Sequence, residues 1–168
     1  MFFGYVGEYH LRKAIAKIPG VSNPHKFDDH DRSKKSDLVI TYKGKEISIE
    51  VKSLQTNTLK EKDGILYATF QCDGSDSREV TFENGERLKT TCLKVGEFDI
   101  LAVNLFMFKK KWIFAYALNS DLPRSKYKGY SEYALERLLA SSMRITWPVQ
   151  LPFTLDVTHL LNKIAARK

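Results

Sequence analysis

Residues 37–52 read DLVITYKGKEISIEVK. After the leading acid, Leu38 to Tyr42 is apolar and β-branched, and Glu46 to Lys52 alternates strictly between polar and apolar. Lys43-Gly44-Lys45 stands between them as a turn. Two such runs joined by a short glycine-containing turn read as an antiparallel hairpin. Side chains alternate across a strand, so Ile47, Ile49 and Val51 share one face, and Ser48, Glu50 and Lys52 the other. Glu50 and Lys52 then lie about 7 Å apart along their strand, with the neighbouring strand roughly 5 Å away. Asp37 opens one strand, and Glu50 and Lys52 close the other. Folding at the turn therefore gathers two carboxylates and an ammonium at one end of a sheet.

Upstream, Leu11, Ala14, Ile15 and Ile18 recur at helical spacing, which predicts a helix over about Gly7 to Ile18 that Pro19-Gly20 ends. Glu8 falls on the same stripe. It is either an acid directed at the hairpin's site or a first-turn glutamate favoured by the helix dipole. Pro24 to Lys35 reads as a loop. Its His25, Asp28, Asp29, His30 and Asp31 match no strong metal-ligand spacing, and Lys26, Arg32, Lys34 and Lys35 are available to phosphate.

Downstream, Ile65 to Cys72 predicts a third strand, and Phe98 to Phe108 a buried one. Lys109-Lys110-Lys111 reads as a turn before a further strand from Trp112 to Leu118. Asp73 to Gly96 is polar and gives no resolvable pattern. Ser131 is placed to cap a helix over about Glu132 to Met143, and Asp156 one over about Val157 to Ala166. Pro148 and Pro152 bracket an extended stretch. A helix, a hairpin-led sheet and further helices make an α/β or α+β domain.

The chain has 168 residues, 43% of them hydrophobic, and a formal charge of +7. That length fits one domain spanning 1–168, either whole or excised from a longer protein. The basic balance favours an anionic partner such as nucleic acid. The cysteines, Cys72 and Cys92, make no metal-ligand pair and no disulfide framework, and the opening MFFGYVGEYHL has no signal-peptide pattern. These features make a reducing cytoplasm the expected location. No stretch approaches the roughly 20 apolar residues of a membrane span, so no membrane partner is expected.

The three gathered side chains form the donor set that phosphodiester hydrolysis requires. Asp37 and Glu50 are hard oxygen ligands of the kind Mg²⁺ takes one or two of, and Mn²⁺ is an expected substitute. The carbonyl of Val51, between Glu50 and Lys52, offers a further ligand. Lys52 is placed to orient water or to stabilise negative charge in the transition state. Alternating Glu and Lys is also the pattern of a solvated strand face. The coincidence of an acid-bearing first helix, an Asp-led strand, the Glu50-Val51-Lys52 ending and the basic charge favours a site.

The segments GYVGE (4–8), SDLVI (36–40) and ISIEVKS (47–53) resemble the restriction-endonuclease-like PD-(D/E)XK nuclease superfamily. FDILAVNLF (98–106) and WIFAYAL (112–118) resemble the later core strands of its restriction-type members. The resemblance implies a mixed central β-sheet of four strands flanked by helices, and Mg²⁺-dependent cutting of DNA. It puts Asp37 and Glu50 in the two acidic metal-ligand places and Lys52 in the lysine place. Glu8 resembles the first-helix glutamate of some members, including archaeal Holliday-junction resolvases. Ser36 stands where the family name has proline, and the segment before FDILAVNLF lacks an evident amphipathic helix. A restriction-type endonuclease acting as a homodimer is the first expectation, since one site cuts one strand. A structure-selective nuclease such as a junction resolvase, and a non-catalytic DNA-binding module on the same fold, are the alternatives.

Overall fold

A computed structural model describes residues 2–26 and 36–167. The hairpin forms as its pattern dictates. Strand β2 (Leu38–Tyr42) pairs antiparallel with β3 (Lys45–Ser53), with Leu38 opposite Ile49 and Ile40 opposite Ile47. The turn is Lys43-Gly44 alone, both at positive φ (49° and 77°), as two-residue hairpin turns that match strand twist demand.

Around this hairpin a five-stranded sheet assembles in the order β1-β2-β3-β8-β9, with β1 at Val21–His25, β8 at Ile100–Asn104 and β9 at Phe114–Leu118. β3 and β8 are parallel and the other neighbours antiparallel, so the sheet is mixed, with one strand more than the resemblance implies. Asp99 pins the parallel register. Its Oδ2 accepts from Ser48 N (2.8 Å) and Ser48 Oγ (2.9 Å), and Asp99 N donates to Ser48 O at 3.0 Å.

Each face of the sheet carries a core. Ile47, Ile49, Ile40, Ile100 and Ala102 pack with Leu11 and Ile15 of helix α1 (Phe2–Ile15) and with Leu160, Leu161 and Ile164 of the last helix in the chain (Val157–Ala165). Leu101, Val103, Ala115 and Ala117 of the other face pack under a second sheet, ordered β10-β5-β4. Its strands are β4 (Lys60–Lys62), β5 (Ile65–Gln71) and β10 (Ser142–Trp147). Ala68 and Phe70 of β5, with Met143 and Ile145 of β10, supply its buried side. A separate long hairpin, β6 (Asp73–Thr81) with β7 (Arg87–Cys92), buries Val80, Phe82 and Cys92 against Ala134 and Leu138.

Several elements differ from the sequence reading. α1 begins at Phe2 and ends at Ile15, and Ala14 is exposed while Leu11 and Ile15 are fully buried. Glu8 is therefore mid-helix, which removes the dipole explanation for it. Pro24 and His25 belong to β1 rather than to a loop; residues 27–35 of that predicted loop lie outside the described residues. The strand expected over 98–108 ends at Asn104. The Asn104 side chain accepts from Phe106 N at 3.0 Å and starts a helical turn, α2 (Phe106–Lys109). The following strand is correspondingly short, beginning at Phe114 rather than Trp112.

Ser131 does cap a helix, α3 (Glu132–Arg137), accepting from Ala134 N, but the helix stops at Arg137 and 142–147 is strand. Leu139 N donates to Leu93 O and Ala140 N to Pro123 O, which pulls the chain into an extended path between two buried leucines. Asp156 caps the last helix, α4 (Val157–Ala165), as read, and Pro148 and Pro152 both follow cis peptide bonds. No helix among the described residues is long and apolar enough to cross a membrane.

Candidate metal centre

The register that buries Ile47 and Ile49 also composes the site. Leu38 faces Ile49, so one step further along the same register sets Asp37 opposite Glu50. Residues directly opposite in an antiparallel pair project to the same face. Asp37 Oδ2 accepts from Val51 N at 2.8 Å, which anchors the acid across the strand end. The N–H and C=O of a strand residue point to the same side, so the Val51 carbonyl is directed past the start of β2, beside Asp37.

Lys52 Nζ lies 2.8 Å from Glu50 Oε1, and their side chains are 20% and 14% exposed. It also donates to the Asp73 carbonyl at 3.2 Å, so the chain leaving β5 forms one wall of the site. Asp37, Glu50, Val51 and Lys52 are thus brought together by one hairpin end. Glu8 sits on α1, which packs against the Ile47–Ile49 face. It pairs with Lys26 at 3.5 Å. Its neighbour Gly7 closes on the end of β3 and β8: a Cβ there would meet Asn104 Nδ2 at 3.4 Å and Ser53 Oγ at 3.8 Å. Beyond Lys52, Ser53, Leu54, Gln55, Thr56, Asn57 and Met107 line an open cleft of about 370 Å³.

The electrostatics follow from burial. Glu50 is pushed up from 4.5 to about 7, first by loss of solvent and then by the Asp37 carboxylate, with Glu97 adding to the rise and Lys52 opposing it. For Lys52, burial acts downward but is outweighed by Glu50 and Asp37, so its ammonium is held above the ordinary value. Burial pushes the nearby Cys72 thiol up to about 12, which keeps it neutral and unreactive.

Glu97 escaped the sequence reading. Its Oε2 accepts from Arg78 Nη2 at 2.6 Å and from Lys94 N at 2.7 Å, and its charge reaches Glu50. Nothing local marks it, because its place depends on β6 and on the turn before β8. His10 and His159 are packed or peripheral groups. His10 stacks on Trp112 at 4.2 Å, and His159 is exposed on α4.

Among the described residues no three His, Cys, Asp or Glu side chains form a ready metal-binding group. Two carboxylates with a carbonyl nonetheless suit a hard divalent cation that keeps most of its waters. Among the described residues, Asp37 Oδ1 and Glu50 Oε2 accept no hydrogen bond, so each acid retains a free oxygen. The mutual repulsion that raises Glu50 is the kind a cation between the two acids relieves. By donor chemistry, the residues fit the metal.

No family model matches the chain, and no curated protein matches it. Among solved structures the chain aligns with that of a bacterial homing endonuclease, I-Ssp6803I, over 80% of this chain and 85% of that one, at 15% sequence identity and a TM-score of 0.42.

Proposed function

We propose that this chain is a metal-dependent nuclease that hydrolyses phosphodiester bonds in DNA, of restriction type. The observation that carries the reading is the hairpin end itself. It sets Asp37 opposite Glu50, holds Asp37 on the Val51 amide, and keeps Lys52 within 2.8 Å of Glu50 in a half-buried setting.

Asp37, Glu50 and the Val51 carbonyl would hold Mg²⁺, with Mn²⁺ as a substitute. Bound there, the cation supplies Lewis-acid activation of water and of the scissile phosphate. Lys52 stays charged at neutral pH and carries its ammonium to where negative charge grows on the phosphate. Glu50 and the Asp73 carbonyl hold that ammonium in position beforehand. Glu8, one residue from the point where α1 meets the end of β3, would act as a further catalytic acid at the same site by holding a metal-bound water. The excess of 27 Lys and Arg over 20 Asp and Glu suits a polyanionic substrate. One such site cuts one strand, so double-strand cutting would employ a homodimer.

The test is cleavage of supercoiled plasmid, linear duplex and four-way junctions with Mg²⁺ or Mn²⁺, beside Glu50→Ala and Lys52→Ala at matched folding. Metal-dependent cutting that both substitutions abolish is the expected result. Cutting that survives either one would remove these residues from the site. Absence of cutting on every substrate, with salt-sensitive binding intact, would turn the reading to a non-catalytic DNA-binding module.

A further inference from the structure

The outer face of the β10-β5-β4 sheet has a composition that its core-facing side does not explain. Leu66, Ala68 and Phe70 of β5 and Met143, Ile145 and Trp147 of β10 turn inward. The alternate positions turn outward. β10 pairs with β5 so that Ser142 lies opposite Gln71 and Arg144 opposite Thr69, and β4 pairs so that Lys60 lies opposite Tyr67 and Lys62 opposite Ile65. Lys60, Lys62, Gln71, Ser142 and Arg144 are all exposed, and no carboxylate stands on that face of the three strands: Glu61 turns to the Leu66 side and Asp63 sits in the turn. The Arg144 guanidinium lies 5.2 Å from the centre of the Tyr67 ring, which limits its freedom.

We infer that this sheet face is a reading surface for the major groove of duplex DNA. Arg144, Gln71 and Ser142 would contact base edges, and Lys60 and Lys62 the flanking phosphates. Beyond Tyr67, where β4 no longer pairs, β5 and β10 continue as a two-stranded ribbon flanked by Gln55 and Thr58, and the major groove, about 12 Å wide, admits a two-stranded ribbon. Arginine and glutamine are the side chains that read guanine and adenine edges bidentately. Lysines at the far end of the sheet neutralise backbone charge without reading sequence. β5 is seven residues long, so the face extends roughly 20 Å away from the candidate metal centre. Its near end is tied to that centre, because Gln71 lies two residues before Asp73, whose carbonyl accepts from Lys52. The inference rests on the nuclease reading only for what the recognition serves. The surface stands on its own residues.

The test is selection from a randomised duplex library by the full chain carrying Asp37→Asn, in chelator, followed by sequencing. An enriched motif is expected. Arg144→Ala should lower affinity for that motif roughly 10-fold or more and relax the preference at one base pair. The pair Lys60→Ala and Lys62→Ala should weaken all duplexes alike and reduce the slope of log affinity against log salt by about two. Lys111→Ala, exposed in the turn after α2, is the control and should change neither. The inference is overturned if no motif is enriched, if Arg144→Ala leaves the motif intact, or if single-stranded DNA competes as well as duplex. Cleavage by the unsubstituted chain is scored separately. An enriched motif lost in Arg144→Ala upholds the surface even without cutting. Cutting with a motif indifferent to Arg144→Ala upholds the nuclease and removes the surface.

Discussion

Replacing Glu50 with glutamine should stabilise the metal-free protein at alkaline pH and do nothing of the kind in acid. In the unfolded chain the Glu50 carboxyl titrates near 4.5, whereas in the fold it is raised to about 7 by burial and then by Asp37, even with Lys52 opposing. Between those values the folded state holds a proton that the unfolded state has lost. Stability therefore falls as pH rises from about 4.5 to about 7, and stays lowered above that. At about 1.4 kcal/mol per pH unit, the ionised carboxylate costs the fold on the order of 3 kcal/mol at pH 8. Glutamine keeps the shape of the protonated acid and cannot ionise. Glu50→Gln should thus gain on the order of 3 kcal/mol at pH 8, or about 6–12 °C in Tm for a chain of this size. The gap should close as pH falls to about 4.5. Urea denaturation in chelator at pH 8, 7, 6 and 5 measures it. A variant less stable than the parent at pH 8, or a difference that does not change with pH, would mean that Glu50 is an ordinary ionised partner of Lys52.

Two further outcomes follow from the same geometry. Mg²⁺ or Mn²⁺ at millimolar concentration should raise the Tm of the parent chain, and Asp37→Asn should remove most of that rise, as read by differential scanning fluorimetry; an unchanged rise would place the cation elsewhere. Asp99→Ala leaves the Ser48 N–H and hydroxyl without their shared acceptor at the β3–β8 junction. It should cost about 1–3 kcal/mol in chemical denaturation and raise amide exchange along β8; a cost below about 0.5 kcal/mol would show that the parallel register holds without Asp99.

The hairpin was legible because everything that specifies it is local. Period-two alternation assigns Ile47, Ile49 and Val51 to one face, and a two-residue turn fixes which residue of β2 meets which of β3. The convergence of Asp37, Glu50 and Lys52 needs nothing more distant than that turn. The strand β10 was not legible for the opposite reason. Residues 132–140, EYALERLLA, favour helix residue by residue, and what ends α3 at Arg137 is hydrogen bonding to Leu93 and Pro123. Met143 and Ile145 become strand by pairing with Phe70 and Ala68, more than seventy positions earlier. The β6–β7 hairpin was hidden likewise, since Val80, Phe82 and Cys92 find their burial against α3. Glu97 reaches Glu50 by a route that no spacing in the sequence encodes.

The β5 strand writes two messages on one stretch of chain. Its even positions, Leu66, Ala68 and Phe70, answer to the volume left by Leu101, Val103 and Ala115, and tolerate little change. Its odd positions divide: Thr69 is held by Gln55 and Tyr67 carries Arg144, while Gln71 is exposed and answers to what lies outside. Each register can be rewritten without erasing the other. A lineage of such chains could therefore change what Gln71, Ser142 and Arg144 present while Leu66, Ala68 and Phe70 stay constant. The hairpin end at Asp37, Glu50 and Lys52 would not feel the difference.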